Sequence, residues 1–215
     1  SSCADTRGYR IEMGGDDQVY FAGESAGGNS IFRFQPSQLD ANAPNVATDQ
    51  FNNPFNTASN HITYFARLDP LTGRIDAGSF LLARLSSGRG NTIRPRAITA
   101  DAAGRVYVAG VSAASIQNRD ALRLNGEELA AYSGGDAYFL VVSRDLRTRL
   151  QWNVLSNGGN GEVRAIGVNG STAVIASRAD TRSTTTGTSL FTTSGAQNSF
   201  TGAQAAHAAL LPAWQ

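Results

Sequence analysis

Few residues of this chain have side chains that commonly catalyse reactions. The single cysteine is Cys3, and the only histidines are His61 and His207. A nucleophilic triad needs a serine or cysteine beside a histidine and an acid. One Gly-x-Ser-x-Gly sequence surrounds Ser25, but the Gly-Asn-Ser that follows it is a poor start for the helix that a nucleophile elbow requires. We predict no catalytic residue, with a nucleophilic Ser25 as the alternative that this motif leaves open.

Metal and cofactor patterns are equally sparse. Zinc sites use paired cysteines and histidines, which this composition does not supply. Calcium loops are dense in carboxylates, and Asp16-Asp17 is the one acidic pair of that kind, since Asp101, Asp136 and Asp145 stand alone at places that favour turns. The glycine cluster 158–161 lacks the lysine of a phosphate-binding loop. We predict no metal and no cofactor, which favours a protein without enzymatic activity.

Composition restricts the partners and the location. The 215 residues are 41% hydrophobic, enough for a sizeable core, and a net charge of +1 gives no reason to expect nucleic acid or an anionic membrane as a partner. No apolar run approaches the ~18 residues of a membrane span. The chain begins Ser-Ser-Cys, as after removal of an export signal or within a longer polypeptide. A lipid on Cys3 is a further alternative.

A hairpin pattern occurs three times and organises the chain. The copies begin at Arg10, Arg96 and Arg164, and each reads as a strand, a tight turn and a second strand. Gly104 and Gly170 lie where such turns need a positive φ. Self-similarity of this kind indicates a repeat architecture. The recurrent arginine favours packing between repeats, with a ring of arginines for an anionic ligand as the alternative.

A second strand pattern follows each hairpin, and in the first two repeats a fourth apolar segment comes after it. β-Branched and aromatic residues favour strands in all of them. The third-strand blocks are 61–69, 136–144 and 206–214, and the fourth segments are 78–83 and 150–155. Only the stretch 119–131 has a modest helical period.

Four antiparallel strands per repeat, here called a, b, c and d, are the unit of a β-propeller. We predict an all-β fold, a propeller-like array of four-stranded antiparallel blades forming one domain over residues 1–215. The repeats run about 9–90, 91–160 and 161–215, and the last lacks strand d. About three blades are too few for a closed ring, which needs about four. The array is therefore predicted to be part of a larger or shared propeller, and a two-fold dimer would supply six blades.

The second repeat carries a family resemblance. It reads Ala-Ile-x-x-Asp-x-x-Gly-x-Val-Tyr-Val-Ala-Gly, then a long loop, then Gly-Gly-Asp-Ala-Tyr-Phe-Leu-Val-Val. This pattern, over residues 96–156, resembles the bacterial seven-bladed β-propeller repeats of SBBP type. Residues 14–17 and His207 depart from it. The resemblance implies a propeller fold and an exported or surface-associated bacterial protein, in a family whose members often have no assigned activity.

Three long connections between strands b and c run about 24–61, 111–135 and 178–205. Loops of this length usually have a role. They leave equivalent positions of their blades, so we expect them at one face of the array. Phenylalanines in the first and third connections either pack their loop onto a blade or anchor a protein partner. These residues are Phe32, Phe34, Phe51, Phe55, Phe191 and Phe200.

The sequence favours a non-enzymatic structural or protein-binding subunit. We expect it in the periplasm or at the cell surface of a bacterium, within a larger assembly. Its expected partner is a protein, or further blades, that complete the propeller, and a homodimer would meet the same need. The alternative is a carbohydrate-binding or carbohydrate-active propeller that uses the face of the long connections. That alternative predicts a pocket lined by tyrosine or tryptophan beside two carboxylates.

Overall fold

Alternating apolar residues and frequent turns give this chain a fold made of strands. The computed structural model describes the following residues: 6–26, 32, 46–47, 61–81, 83–84, 90–113, 123–124, 127–128, 136–154, 156–157, 161–170, 172–180, 189–190 and 204–212. The strands are β1 (Thr6–Met13), β2 (Val19–Ala26), β3 (Val46–Ala47), β4 (His61–Leu68), β5 (Ile75–Leu81), β6 (Ala83–Arg84), β7 (Gly90–Asn91), β8 (Ile93–Ala100), β9 (Val106–Ser112), β10 (Arg123–Leu124), β11 (Glu127–Glu128), β12 (Asp136–Val142), β13 (Arg149–Val154), β14 (Ser156–Asn157), β15 (Glu162–Asn169), β16 (Thr172–Asp180), β17 (Ser189–Leu190) and β18 (Gln204–Pro212).

The long strands form three antiparallel sheets. Sheet 1 has the order β1-β2-β4-β5, with the short β3 added in parallel to β5. Sheet 2 has the order β8-β9-β12-β13, and sheet 3 has the order β15-β16-β18. Strands a, b and c of each repeat are therefore sequential neighbours, and strand d follows in sheets 1 and 2. The prediction of an all-β fold with antiparallel sheets is confirmed.

The sheets stack face to face through their first strands. β8 contacts β1, β2 and β4 of sheet 1, and β15 contacts β8, β9 and β12 of sheet 2 in the same way. Alternate residues of a strand point to opposite faces. Tyr20 of sheet 1 and Ile175 of sheet 3 both belong to the core that also contains sheet 2. We call the Tyr20 side of a sheet its back and the Ile175 side its front, so the back of each sheet packs on the front of the next.

In sheets 1 and 2, an aspartate holds the hairpin between strands a and b, and in the first hairpin Asp16 accepts a hydrogen bond from the backbone N–H of Gln18 at 3.3 Å. Asp101 accepts hydrogen bonds from the backbone N–H groups of Ala103 at 2.9 Å and Arg105 at 3.0 Å, and from the Tyr107 hydroxyl at 3.2 Å. The predicted glycines have positive φ, +78° at Gly104 and +57° at Gly170. These hairpins and the turns between strands c and d lie at one end of the sheets, the turn end. The connections between strands b and c leave the opposite, connection end.

Each first strand contains a β-bulge at the same place. The residue that the pairing register skips is Tyr9 in β1, Arg96 in β8 and Arg164 in β15. The superposition of Arg10 on Arg96 and Arg164 is therefore wrong by one residue, because Tyr9 holds the equivalent position. A bulge redirects the side chain that it carries. The guanidinium of Arg96 lies 4.8 Å from the centre of the Tyr9 ring, which links sheets 2 and 1.

The helical interpretation of 119–131 is wrong where the structure describes it. Arg123–Leu124 and Glu127–Glu128 pair as antiparallel strands, with Leu124 opposite Glu127. The two residues between these strands are Asn-Gly, the dipeptide that most favours a two-residue hairpin. A strong turn signal inside the segment therefore outweighs its modest helical period.

The buried tyrosines make stability sensitive to alkaline pH. Burial raises the pKa of Tyr20 and Tyr138 above the usual 10, and the hydrogen bond from Tyr20 to Asp16 at 2.9 Å acts in the same direction. Above pH 10 the unfolded chain therefore loses these protons more readily than the folded chain. We expect the free energy of unfolding, measured by urea denaturation, to fall as the pH rises past about 10. Tyr20→Phe should make this fall shallower, and an unchanged slope would contradict the assignment.

Candidate functional site: an open sheet face beside a row of arginines

The back of sheet 3 exposes positions that are buried in the other two sheets. The pairing registers make Tyr20, Tyr107 and Val174 equivalent. Both tyrosines are 0% exposed, whereas Val174 is 44% exposed. Small residues continue this surface along β16 and its two neighbouring strands, where Ala165, Gly167, Ala176, Ala206 and Ala208 are exposed. The last sheet therefore presents a small, apolar version of a surface that is buried between sheets elsewhere.

The front of sheet 1 is the opposite end of the stack, and its inner part is also exposed. Ile11 is 70% exposed and Met13 is 57% exposed, but the equivalent Ile98 and Ala100 of β8 are each only 3% exposed. Among the large hydrophobic side chains of the described residues, Leu71 is the one exposed residue outside these two end faces. Exposed apolar surface is therefore concentrated where a neighbouring sheet would pack.

The outer part of that front face is covered by Phe32. Its ring is 3% exposed and lies 5.0 Å from the ring centre of Phe80, 5.9 Å from Tyr64 and 6.5 Å from Phe21. A Cβ atom at Gly78 would come within 2.9 Å of the same ring. The structure thus places Phe32 in a core cluster of its own chain. The predicted partner contacts Phe34, Phe51, Phe55, Phe191 and Phe200 lie outside the described residues.

A buried carboxylate joins sheets 1 and 2 at the connection end. Glu24, near the end of β2, is 0% exposed. Its Oε2 accepts a hydrogen bond from Arg94 Nε at 2.6 Å, and its Oε1 lies 3.1 Å from His61 Nδ1 and 3.6 Å from Arg7 Nη1. The His61 contact is close but poorly directed for a hydrogen bond. Burial, and then the charge of Glu24, raise the pKa of Tyr64, whose hydroxyl donates to the Arg7 carbonyl at 3.4 Å.

A second buried carboxylate joins sheets 2 and 3 at the same end. Glu162 is 6% exposed and pairs with Arg96 of β8. Arg164 lies 2.7 Å and Arg178 3.8 Å from its other oxygen. Burial lowers the pKa of the Arg96 guanidinium, but the hydrogen bonds and charge interactions with Glu162 and Tyr9 together outweigh this effect, so that pKa is raised. Each junction between sheets therefore contains one buried carboxylate and an arginine from the adjacent sheet.

These carboxylates occupy equivalent or facing positions of the repeat. The registers make Arg7, Arg94 and Glu162 equivalent on strand a, and each faces a strand-b residue across its hairpin. Those facing residues are Glu24, Val111 and Arg178. The sequence analysis missed this network. The sequence does contain one sign of this network: the strand-b position that is Val111 in the second repeat is charged in the other two.

The described residues do not form a nucleophilic triad around Ser25. This residue is 1% exposed within a strand, and its hydroxyl lies 3.3 Å from that of Thr6. His61 points instead at Glu24. His207 lies in β18 opposite Ser177, and its side chain is outside the described part of the chain. The contacts of Ser25 and His61 are those of residues that hold neighbouring strands together.

A cavity of about 650 Å³ opens at the turn end, between the first strands of the three sheets. It is lined by the hairpin segments around Gly14, Asp101 and Asn169, together with Glu12 and Arg105. No tyrosine or tryptophan is among the described residues that line this cavity, which lies at the end opposite the long connections. Within the described ranges, no three His, Cys, Asp or Glu side chains are grouped to hold a metal ion. The strand-rich part described here also holds no helix of the length and apolarity that a membrane crossing requires.

The site is thus an uncovered apolar sheet face bordered by arginines at the connection end. Among the described residues, the ion pairs of this network join five guanidinium groups to two carboxylates: Arg7, Arg94, Arg96, Arg164 and Arg178 to Glu24 and Glu162. In comparisons with known proteins, no family model matches the chain and no curated protein matches it in sequence.

Proposed function

We propose that the chain is a non-enzymatic, protein-binding structural module of an exported bacterial assembly, in which its sheets form part of a β-propeller-like ring. The observation that carries the proposal is the exposure of Val174 at a repeat position that is fully buried as Tyr20 and Tyr107. Exposed, contiguous apolar surface commonly marks an interaction site. The back of sheet 3 is therefore the proposed docking surface for a further sheet.

The stacking of the sheets has a direction, and this supports the proposal. The back of sheet 1 packs on the front of sheet 2, and the back of sheet 2 packs on the front of sheet 3. Head-to-tail contacts of this kind continue until the ends meet in a ring or until another surface covers them. Fully burying a valine-sized side chain contributes about 1.5–3 kcal/mol, so covering the end face is favourable.

The chemistry of the network supports a structural role for the buried acids. Both oxygens of Glu24 and both oxygens of Glu162 lie near cationic side chains of this chain. Buried charges in proteins are usually paired in this way. Export and a bacterial source rest on the resemblance of residues 96–156 to the SBBP repeats.

Site-specific photocrosslinking in the producing cells tests the proposal. A photoreactive amino acid at position 174 should capture a partner protein, because this position faces the proposed neighbour. The matched control is position 71, since Leu71 is 93% exposed but lies outside both end faces. Capture at 174 and not at 71 is the expected result. Equal capture at both positions, or none at 174, would overturn the proposal.

A further inference from the structure

The ion pairs between sheets indicate which kind of sheet the open face accepts. At the first junction, the incoming sheet 2 brings Arg94 to Glu24 of sheet 1. At the second, the incoming sheet 3 brings Glu162 to Arg96 of sheet 2. Arg94 and Glu162 are equivalent residues of strand a. At both junctions, the residue at this position of strand a therefore has a charge opposite to that of the residue it contacts on the preceding sheet.

On the back of sheet 3, the two positions that pair with the incoming sheet at the other junctions are both occupied by arginines. Arg178 is equivalent to Glu24, and Arg164 is equivalent to Arg96. Their side chains are 37% and 54% exposed, and among the described residues both lie near the carboxylate of Glu162. An incoming strand a that carried a carboxylate would complete the pattern of the two existing junctions. An incoming arginine would add a third guanidinium to this end.

We infer that the back of sheet 3 takes a β-sheet of another protein whose first strand carries a carboxylate at the Glu162-equivalent position, and that it rejects a second copy of this chain packed head to tail. The copy would bring Arg7, the equivalent residue of its own first strand, against Arg164 and Arg178. Like charges across an interface select against the wrong partner. This inference rests on the proposed function, because it specifies the occupant of the same surface.

A full-length chain with Arg7→Glu is the probe, since it presents a carboxylate at the required position. We expect it to bind the unmodified chain at least tenfold more tightly than the unmodified chain binds itself, measured by analytical ultracentrifugation at low salt. High salt should weaken this binding, because exposed charge pairs are screened. Arg178→Glu in the receiving chain should abolish the gain, whereas Arg178→Lys should keep it.

Because Arg7 lies near Glu24, circular dichroism checks that the probe folds, and the reciprocal variant carries the test if it does not. Arg178→Glu in an otherwise unmodified chain offers a carboxylate to the Arg7 of a second copy and should cause self-association. Adding Arg7→Glu to it should restore the monomer. The inference is overturned if neither reversal raises association, or if the unmodified chain already forms a dimer that Val174→Arg dissociates. Capture at position 174 together with either result leaves the proposed function standing, whereas no capture at 174 removes the proposed function itself.

Discussion

Glu24→Ala is expected to lower the free energy of unfolding by about 3 kcal/mol. The substitution removes a fully buried carboxylate from between Arg94, Arg7 and His61, and it leaves the two guanidinium charges facing one another across the junction of sheets 1 and 2. Breaking a buried ion pair by removing one partner typically costs about 3–5 kcal/mol. The lower figure applies because Arg94 is 37% exposed and can regain water. Urea denaturation measures the loss.

Glu12→Ala is the matched control for this prediction. Glu12 lies on the adjacent strand β1 but is exposed, so its removal should change stability by no more than about 0.5 kcal/mol. The effect of Glu24→Ala should also persist at high salt, since buried pairs are screened much less than exposed ones. A loss for Glu24→Ala as small as that for Glu12→Ala would show that the carboxylate does not hold the two sheets together.

The strands and their turns could be predicted from sequence because their signals are local. Alternating apolar residues mark the strands, and Gly104 and Gly170 mark positions where the backbone adopts a positive φ. The first hairpin follows the same geometry with a less obvious residue, since Asp17 takes a φ of 60° there. The antiparallel pairing of strand a with strand b, and of strand c with strand d, then follows from the short turns that join them. The closure of these sheets into a propeller stays a prediction.

The ion pairs that define the candidate site could not be predicted in the same way. Arg94 pairs with a residue 70 positions away, and Arg96 with one 66 positions away. The spacing of apolar residues in the sequence does not indicate which distant residues pair, because those pairs depend on how the sheets stack. The bulge at Arg96 could not be predicted from the sequence either. One skipped residue changes where a side chain points without changing which residues are apolar. Superposing Arg10 on Arg96 kept the residue type and missed the register.

The bulge also leads to the second large expected effect, the destabilisation caused by Gly110→Ala. Gly110 lies opposite Pro95, beside the bulged Arg96, and a Cβ atom there would overlap the carbonyl oxygen of Arg94. Because that neighbour is backbone, the overlap can be relieved only by moving the strand that carries the network. Overpacking of this kind costs roughly 1–3 kcal/mol, and we expect the upper end. The midpoint of urea denaturation measures it.

Ser177→Ala tests whether the loss of stability comes from this close approach or from a general sensitivity of strand b to substitution. Ser177 is the equivalent residue in sheet 3, opposite Val163, where the chain already accommodates a Cβ atom. Because Ser177→Ala keeps this Cβ atom and adds none, it should destabilise the chain less than Gly110→Ala does. Gly23→Ala should behave like Gly110→Ala, because its added Cβ would overlap the Arg7 carbonyl oxygen in the same manner. If Gly110→Ala and Ser177→Ala proved equally mild, the tight bulge of β8 would be contradicted, and with it the path by which Arg96 reaches Glu162.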